Sequence, residues 1–296
     1  MDTMSNKPLQ QRFWTYIVVG LLLFFLGMQY DIWRRSSSAQ PKTEPVEDSL
    51  ARIVKSGVLR VGYIDYPPAV IKDPNTGQLS GEFVDIAKFI ASQLNVRLEF
   101  EEASWSTFMT GLQTHNYDIS IAPTYIQVSR SANVAFTRPI AFLGNSAGVK
   151  KGDSRFENIQ APTDLDRSGL VVAVVQGEAA DLFVKEHFKS AKVLELSGSD
   201  LSAPLELVAT GQADVGLTDA YVTEQFVAQK PSVRDLFPNN PYNVSPMSWA
   251  VRPDDYRLLN FLNNSLEYLE ATGKTAEWQK KYHAPWMYGI PSVKRP

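Results

Sequence analysis

The 296-residue chain contains no cysteine. That excludes a disulfide framework and every site needing a thiolate: a zinc finger, an iron–sulfur cluster or a cysteine nucleophile. A lipidated cysteine is excluded with them, so attachment to a membrane would have to come from a protein segment. Histidine is scarce. His115, His187 and His283 stand far apart, which argues against a histidine-rich metal site. Positive charge is not in excess either: 29 Lys and Arg face 32 Asp and Glu, so no bulk attraction to nucleic acid is expected. Hydrolase chemistry finds little support, and glycine-rich dinucleotide fingerprints are absent. Neither a metal nor a cofactor is expected. What remains is a chain with 44% hydrophobic residues, enough for one or two packed domains.

One long apolar run stands near the start. From Phe13 to Met28 the only polar side chains are Thr15 and the Tyr16 hydroxyl. Extended to Trp33, with Gln29 and Asp31 at the far interface, the run has 21 residues, roughly 31 Å as a helix, close to the thickness of a bilayer's hydrocarbon layer. Trp14 and Tyr16 at one end and Tyr30 and Trp33 at the other occupy interfacial positions. The expectation is an uncleaved transmembrane signal-anchor over 1–35, followed by a stalk over 36–49 that carries Pro41 and Pro45. The alternative is a cleaved leader cut before Gln40, after Ser37-Ser38-Ala39; Arg34 and Arg35 stand against it.

Beyond the stalk, strand-like and helix-like patterns alternate. Val58–Gly62, Val96–Phe100 and Asp118–Ala122 read as strands; Phe83–Leu94 and Thr107–Gln113 read as helices. The second half repeats the theme, with strands at Leu170–Val175, near Val193 and at Asp214–Leu217. Helices are expected at Glu178–Phe188, Leu201–Thr210, Tyr256–Ala271 and Thr275–Tyr282. Such alternation implies an α/β protein with parallel sheets, divided into two lobes.

In open α/β sheets, ligands gather beyond the carboxyl ends of the strands. That rule selects Asp65, Tyr66, Trp105, Thr124, Tyr125, Gly177, Glu178 and Asp219 as candidates. Arg130, just after a strand, can fork onto a carboxylate, though a plain surface arginine fits the same position. Asp219 would serve equally as a helix N-cap. Gly177 at a strand-to-helix turn frees backbone N–H groups for an anion, yet glycine is common there for steric reasons. Pro67-Pro68 stiffens the loop after Tyr66.

In this order the motifs resemble the bacterial solute-binding proteins of the polar amino acid uptake family, family 3. The resemblance runs from Ser56-Gly57-Val58-Leu59-Arg60-Val61-Gly62 and Tyr66-Pro67-Pro68 through Gly81-Glu82-Phe83-Val84-Asp85. It continues at Trp105, Asn116-Tyr117-Asp118, Ser129-Arg130 and Val134-Ala135-Phe136-Thr137-Arg138-Pro139, and ends in Thr272-Gly273-Lys274 and Lys281-Tyr282. It implies a two-lobed type II periplasmic-binding-protein fold with two hinge crossovers, preceded here by the one N-terminal transmembrane helix. Lobe 1 would comprise 50–142 plus 246–296, and lobe 2 143–245. The resemblance further implies that Arg130 grips a ligand α-carboxylate, that Asp219 takes its α-ammonium, and that Tyr66 and Trp105 sandwich its side chain.

Three departures weaken the general amino-acid grip. Tyr125 replaces a small hydroxyl residue, Pro123 replaces a position that is often glycine, and Gly177-Glu178-Ala179 replaces a Gly-Thr/Ser start. Glu178 adds negative charge where a ligand carboxylate would be welcomed.

The expected function is a non-enzymatic, membrane-tethered receptor that captures an amino acid or related zwitterion for an ABC permease. The ectodomain would be monomeric and periplasmic, on a single-pass inner-membrane anchor. The alternative is an enzyme similar to the periplasmic cyclohexadienyl (prephenate/arogenate) dehydratases, which Leu217-Thr218-Asp219-Ala220 also resembles. Those enzymes carry an acid three residues after the aspartate, where this chain has Val222. A sensor or receptor subunit is a third reading, disfavoured because no second span or signalling domain follows Trp286.

Overall fold

The computed structural model describes residues 7–38 and 48–284. The stretch 39–47 of the expected stalk, with the alternative cut before Gln40, lies outside the described residues. So do 1–6 of the expected anchor and 285–296 of the expected first lobe. The chain forms two compact units, 1–46 and 47–296.

The first unit is the helix α1 (Lys7–Ser38), which runs past the boundary expected at 35. Its described large side chains are exposed, from Trp14 and Leu21 to Phe25 and Trp33. The expected span is corrected here: among the described residues no helix is long and apolar enough to cross a membrane. The reason is length. The stretch free of amide and charge stops at Met28, before Gln29, Asp31 and Arg34, leaving about 24 Å of apolar helix against about 30 Å of hydrocarbon.

In the second unit, α2 (Ser49–Ser56) leads into β1 (Val58–Tyr63), and Asp48 caps the helix through the Ala51 amide. A short hairpin, β2 (Ile71–Lys72) and β3 (Leu79–Ser80), precedes α3 (Glu82–Leu94) and β4 (Arg97–Glu102). Helix α3 forms because Phe83, Ile86, Ala87, Ile90 and Ala91 recur at helical spacing and are buried. Asn95 ends it in the left-handed conformation. Next come α4 (Phe108–Gln113), β5 (Ile119–Tyr125), α5 (Val128–Ser131) and β6 (Ala135–Phe136).

The long strand β7 (Ala141–Lys150) opens the second half. It is followed by β8 (Val171–Val175), α6 (Ala179–His187), β9 (Lys192–Leu196), α7 (Ala203–Thr210), β10 (Val215–Asp219), α8 (Ala220–Gln229) and β11 (Val233–Asp235). A second long strand, β12 (Tyr242–Val251), returns the chain to α9 (Tyr256–Ala271) and α10 (Lys274–Tyr282).

One sheet runs in the order β4-β1-β5-β12-β7-β10-β8-β9. Strands β4, β1 and β5 are parallel, as are β9, β8 and β10, which matches the alternation read from the sequence. Between these blocks β7 and β12 pair antiparallel, with Met247 opposite Ala141 and Tyr242 opposite Asn145. These are the two crossovers of a two-lobed α/β fold. One core gathers Leu59, Phe83, Tyr117, Trp249 and Leu262; separate cores gather Val149, Val172 and Leu217, and Leu205, Val208 and Phe226. Tyr117 fills the space left by two glycines: a Cβ on Gly62 would lie 2.4 Å from its ring. Asp118, fully buried, binds Arg60 at 2.7 Å and also Arg52, tying α2 to the sheet.

Candidate functional site

Six of the residues selected by the strand-end rule and the resemblance line one enclosed cavity: Tyr66, Trp105, Tyr125, Arg130, Glu178 and Asp219. Pro123, Ala179 and Leu201 complete the wall. The cavity measures about 10 Å³, on the order of the room one water needs. A larger open groove of about 410 Å³ lies along α7 and α8, lined by Ser202, Tyr221, Phe226 and Lys230. Its charged groups are already spent on each other, Lys230 on Glu206 at 2.5 Å. Of the two, the small cavity is the one whose wall gathers buried charged groups, Arg130, Glu178 and Asp219, and it is the candidate site.

The small volume has a cause: the two blocks of the sheet are joined across the cavity. The Tyr125 hydroxyl, at the end of β5, donates to Asp219 Oδ2 at 2.5 Å and lies 3.0 Å from the Gly144 carbonyl. The Tyr66 hydroxyl lies near enough to the same carboxylate to hold its pKa down against burial. The Trp105 indole N–H donates to the Ser199 carbonyl at 3.2 Å. Arg130 spreads its fork between two carbonyls, Nη1 on Tyr125 at 3.1 Å and Nη2 on Gly177 at 2.6 Å. Tyr66 and Trp105 meet edge to face at 6.3 Å. Gly177 permits the approach. Its φ of +81° belongs to the left-handed region, and a Cβ there would come within 2.8 Å of the Ser106 backbone.

Asp219 is both a cap and a site group. Its Oδ1 accepts from the Tyr221 and Val222 amides at the start of α8, leaving Oδ2 for Tyr125. Glu178 caps α6 in the same way: Oε2 accepts from the Ala180 amide at 2.6 Å and Oε1 from Asn145 Nδ2 at 3.2 Å. Burial dominates the charges. It pushes Asp219 above the ordinary carboxylate range despite the hydroxyl and amide donors. Burial also raises Glu178 to about 7; the Ala180 amide opposes this and the Asp219 charge adds to it. Burial lowers Arg130 to about 10, against the pull of Glu178. Both tyrosine hydroxyls are held well above their usual value by burial and then by Asp219.

Three expected residues stand off the cavity wall. Asp65 turns its carboxylate to the Lys72 amide at 3.1 Å. Thr124 is fully buried, with its hydroxyl 3.2 Å from the Ala122 carbonyl. Gly177 contributes a carbonyl rather than free N–H groups, since its own N–H donates to Asp181 at 2.8 Å. Sequence reasoning passed over Leu201 and Asn145. The first lies beyond the carboxyl end of β9, where the same rule applies. The second is a fully buried amide inside a strand, steadied by Asn243 Nδ2 at 2.9 Å. Among the described residues no cluster of acids and histidines suits a metal ion.

Residues 59–285 match the model of the bacterial extracellular solute-binding proteins, family 3. The chain is 24% identical to the cyclohexadienyl dehydratase of Pseudomonas aeruginosa over 256 residues, 85% of this chain and 93% of that protein. It is 25% identical to the glutamine-binding protein of an ABC transporter from Bacillus subtilis over 252 residues, 84% and 89% of the two lengths. Among solved structures, an ancestral amino acid-binding protein that is a precursor of cyclohexadienyl dehydratase aligns with a TM-score of 0.70 and 30% identity. That alignment covers 80% of this chain and 99% of the other.

Proposed function

Because the chain belongs to the bacterial extracellular solute-binding proteins, family 3, we propose that it is a non-enzymatic receptor of the amino acid class. It captures a small amino-bearing solute between lobe 1 (50–142 plus 246–296) and lobe 2 (143–245) and presents it to an ABC permease. The observation that carries this reading is the placing of Arg130 and Asp219 on opposite blocks of the sheet around one enclosed cavity. Charged groups of a ligand that leave water need such partners, and a ligand touching both lobes favours the closed state. In this reading Asp219 takes the amino group, Tyr66 and Trp105 flank the side chain, and Arg130 stands at the carboxylate end. The family is extracytoplasmic. The exposed apolar side chains of α1 hold the receptor at a membrane face.

One observation favours an enzyme instead. Glu178 has the burial and raised pKa of a general acid, in a chain 24% identical to a cyclohexadienyl dehydratase. Val222 weighs against it, since the acid of those enzymes is missing there.

The test is a thermal-shift screen of the full chain against amino acids, amines, opines and small carboxylates. At a hundredfold excess over Kd, a ligand specific to the native state adds about 2.7 kcal/mol, a shift of several degrees. The Asp219→Asn variant is expected to lose most of that shift. A chain that no compound stabilises is not a receptor of this class, and turnover of prephenate or arogenate moves it to the enzymes.

A further inference from the structure

The wall of the cavity is more acidic than a zwitterion requires. A balanced clamp has one cation for the ligand's carboxylate and one anion for its ammonium. Here two buried carboxylates, Glu178 and Asp219, face a single guanidinium, Arg130. Glu178 occupies the place of an incoming anion. It sits at the amino end of α6, accepting from the Ala180 amide and from Asn145, where a ligand carboxylate would otherwise be received. Arg130 has both ends of its fork on main-chain carbonyls. Asp219, by contrast, is met by the Tyr125 hydroxyl, which shows where a ligand N–H would donate.

We propose that the preferred ligand of this cleft is a small organic cation without an α-carboxylate, an amine or guanidine held by Asp219 and Glu178 among the rings of Tyr66, Trp105 and Tyr125. The proposal rests on the receptor reading above and narrows its ligand class. Three features agree with it. A cation placed between the two carboxylates relieves their mutual repulsion, which adds to burial in raising the pKa of Glu178. The tyrosine and tryptophan faces attract a desolvated ammonium or guanidinium. A ligand carboxylate would instead bring a third buried negative charge beside Glu178, with only Arg130 to answer it. Entry requires the lobes to part, because the Tyr125–Asp219, Trp105–Ser199 and Arg130–Gly177 bonds all cross the cleft.

The experiment is titration calorimetry of the full chain with two matched pairs, agmatine against arginine and cadaverine against lysine. Each pair differs only by the α-carboxylate. The amine of at least one pair is expected to bind tenfold or more tightly than its amino acid. In Glu178→Gln that preference is expected to shrink at least tenfold; Glu178→Thr serves if the glutamine variant does not fold. An amino acid that binds as tightly as its amine, or tighter, overturns the inference and leaves the receptor reading standing. The inference is equally overturned if neither pair binds while another zwitterion of the thermal screen does. If no compound of any class binds, the receptor reading fails first, and the inference with it.

Discussion

Glu178 makes a measurable demand on the fold. It is almost wholly buried, and burial pushes its pKa up to about 7 from the ordinary 4.5. A raised acid binds its proton more tightly in the native state than in the unfolded one. Its contribution is therefore fully present below about pH 4.5 and is lost as pH rises through 7. Two and a half pKa units correspond to about 3 kcal/mol, at about 1.4 kcal/mol each. Other groups tilt the total profile: Asp219 acts in the same sense, while Asp118 and the exposed capping aspartates act in the opposite one. The difference between wild type and Glu178→Gln isolates the one group. Urea unfolding of both proteins between pH 4.5 and 8 is expected to show wild type losing about 3 kcal/mol relative to the variant. Parallel profiles would refute the buried, charge-frustrated glutamate and remove a support of the cation inference.

Two further outcomes test other parts of the structure. Asp118→Asn leaves Arg52 and Arg60 without their shared carboxylate; since they keep 28% and 30% of their side-chain exposure, a loss of roughly 2 kcal/mol is expected rather than the full cost of a buried pair. Arg52 and Arg60 outweigh the burial of Asp118 and hold its pKa below the usual value, so this loss fades as the pH falls through that lowered pKa, and chemical denaturation at pH 7 and pH 3 checks both points. The full chain, floated with liposomes, is expected to rise with the lipid, and a chain lacking residues 1–38 is expected to stay below; equal behaviour of the two would remove the role given to α1.

Helices α9 and α3 were legible because their apolar residues keep a 3.6-residue period over several turns, and the β8 run because it is continuous. The crossovers β7 and β12 were not legible in that way. Asn145 and Ser146 interrupt one and Asn243 and Ser245 the other, and their partners lie about a hundred residues away, where local periodicity carries no information. Their existence came from the family resemblance instead. The strand-end rule located the site but not the face of each strand. Successive residues of a strand point to opposite sides, so Tyr125 reaches the cavity while its neighbour Thr124 turns into the core. Asp65 and Tyr66 follow the end of β1 and divide for a local reason, Asp65 accepting from the Lys72 amide while Tyr66 bridges to Val70. The alternative given for Asp219, a helix N-cap, and its site role are both true, because a carboxylate has two oxygens and uses one for each. The membrane span depended on Gln29 and Asp31 lying at the far interface, and the described helix is not long and apolar enough to support it.

Gly177 carries a consequence of a different kind. Where it meets Ser106 the lobes touch backbone to backbone, with no side chain between them to compress or to change rotamer. In the receptor reading, closure would therefore end on a rigid stop rather than on a cushion. With that contact made the cavity has room for about one water, so in that reading a solute of amino-acid size halts the lobes before they close fully. A bulkier solute holds the gap open and yields a different outline. Any surface that reads the outside of the closed receptor is thereby reading the size of what lies within.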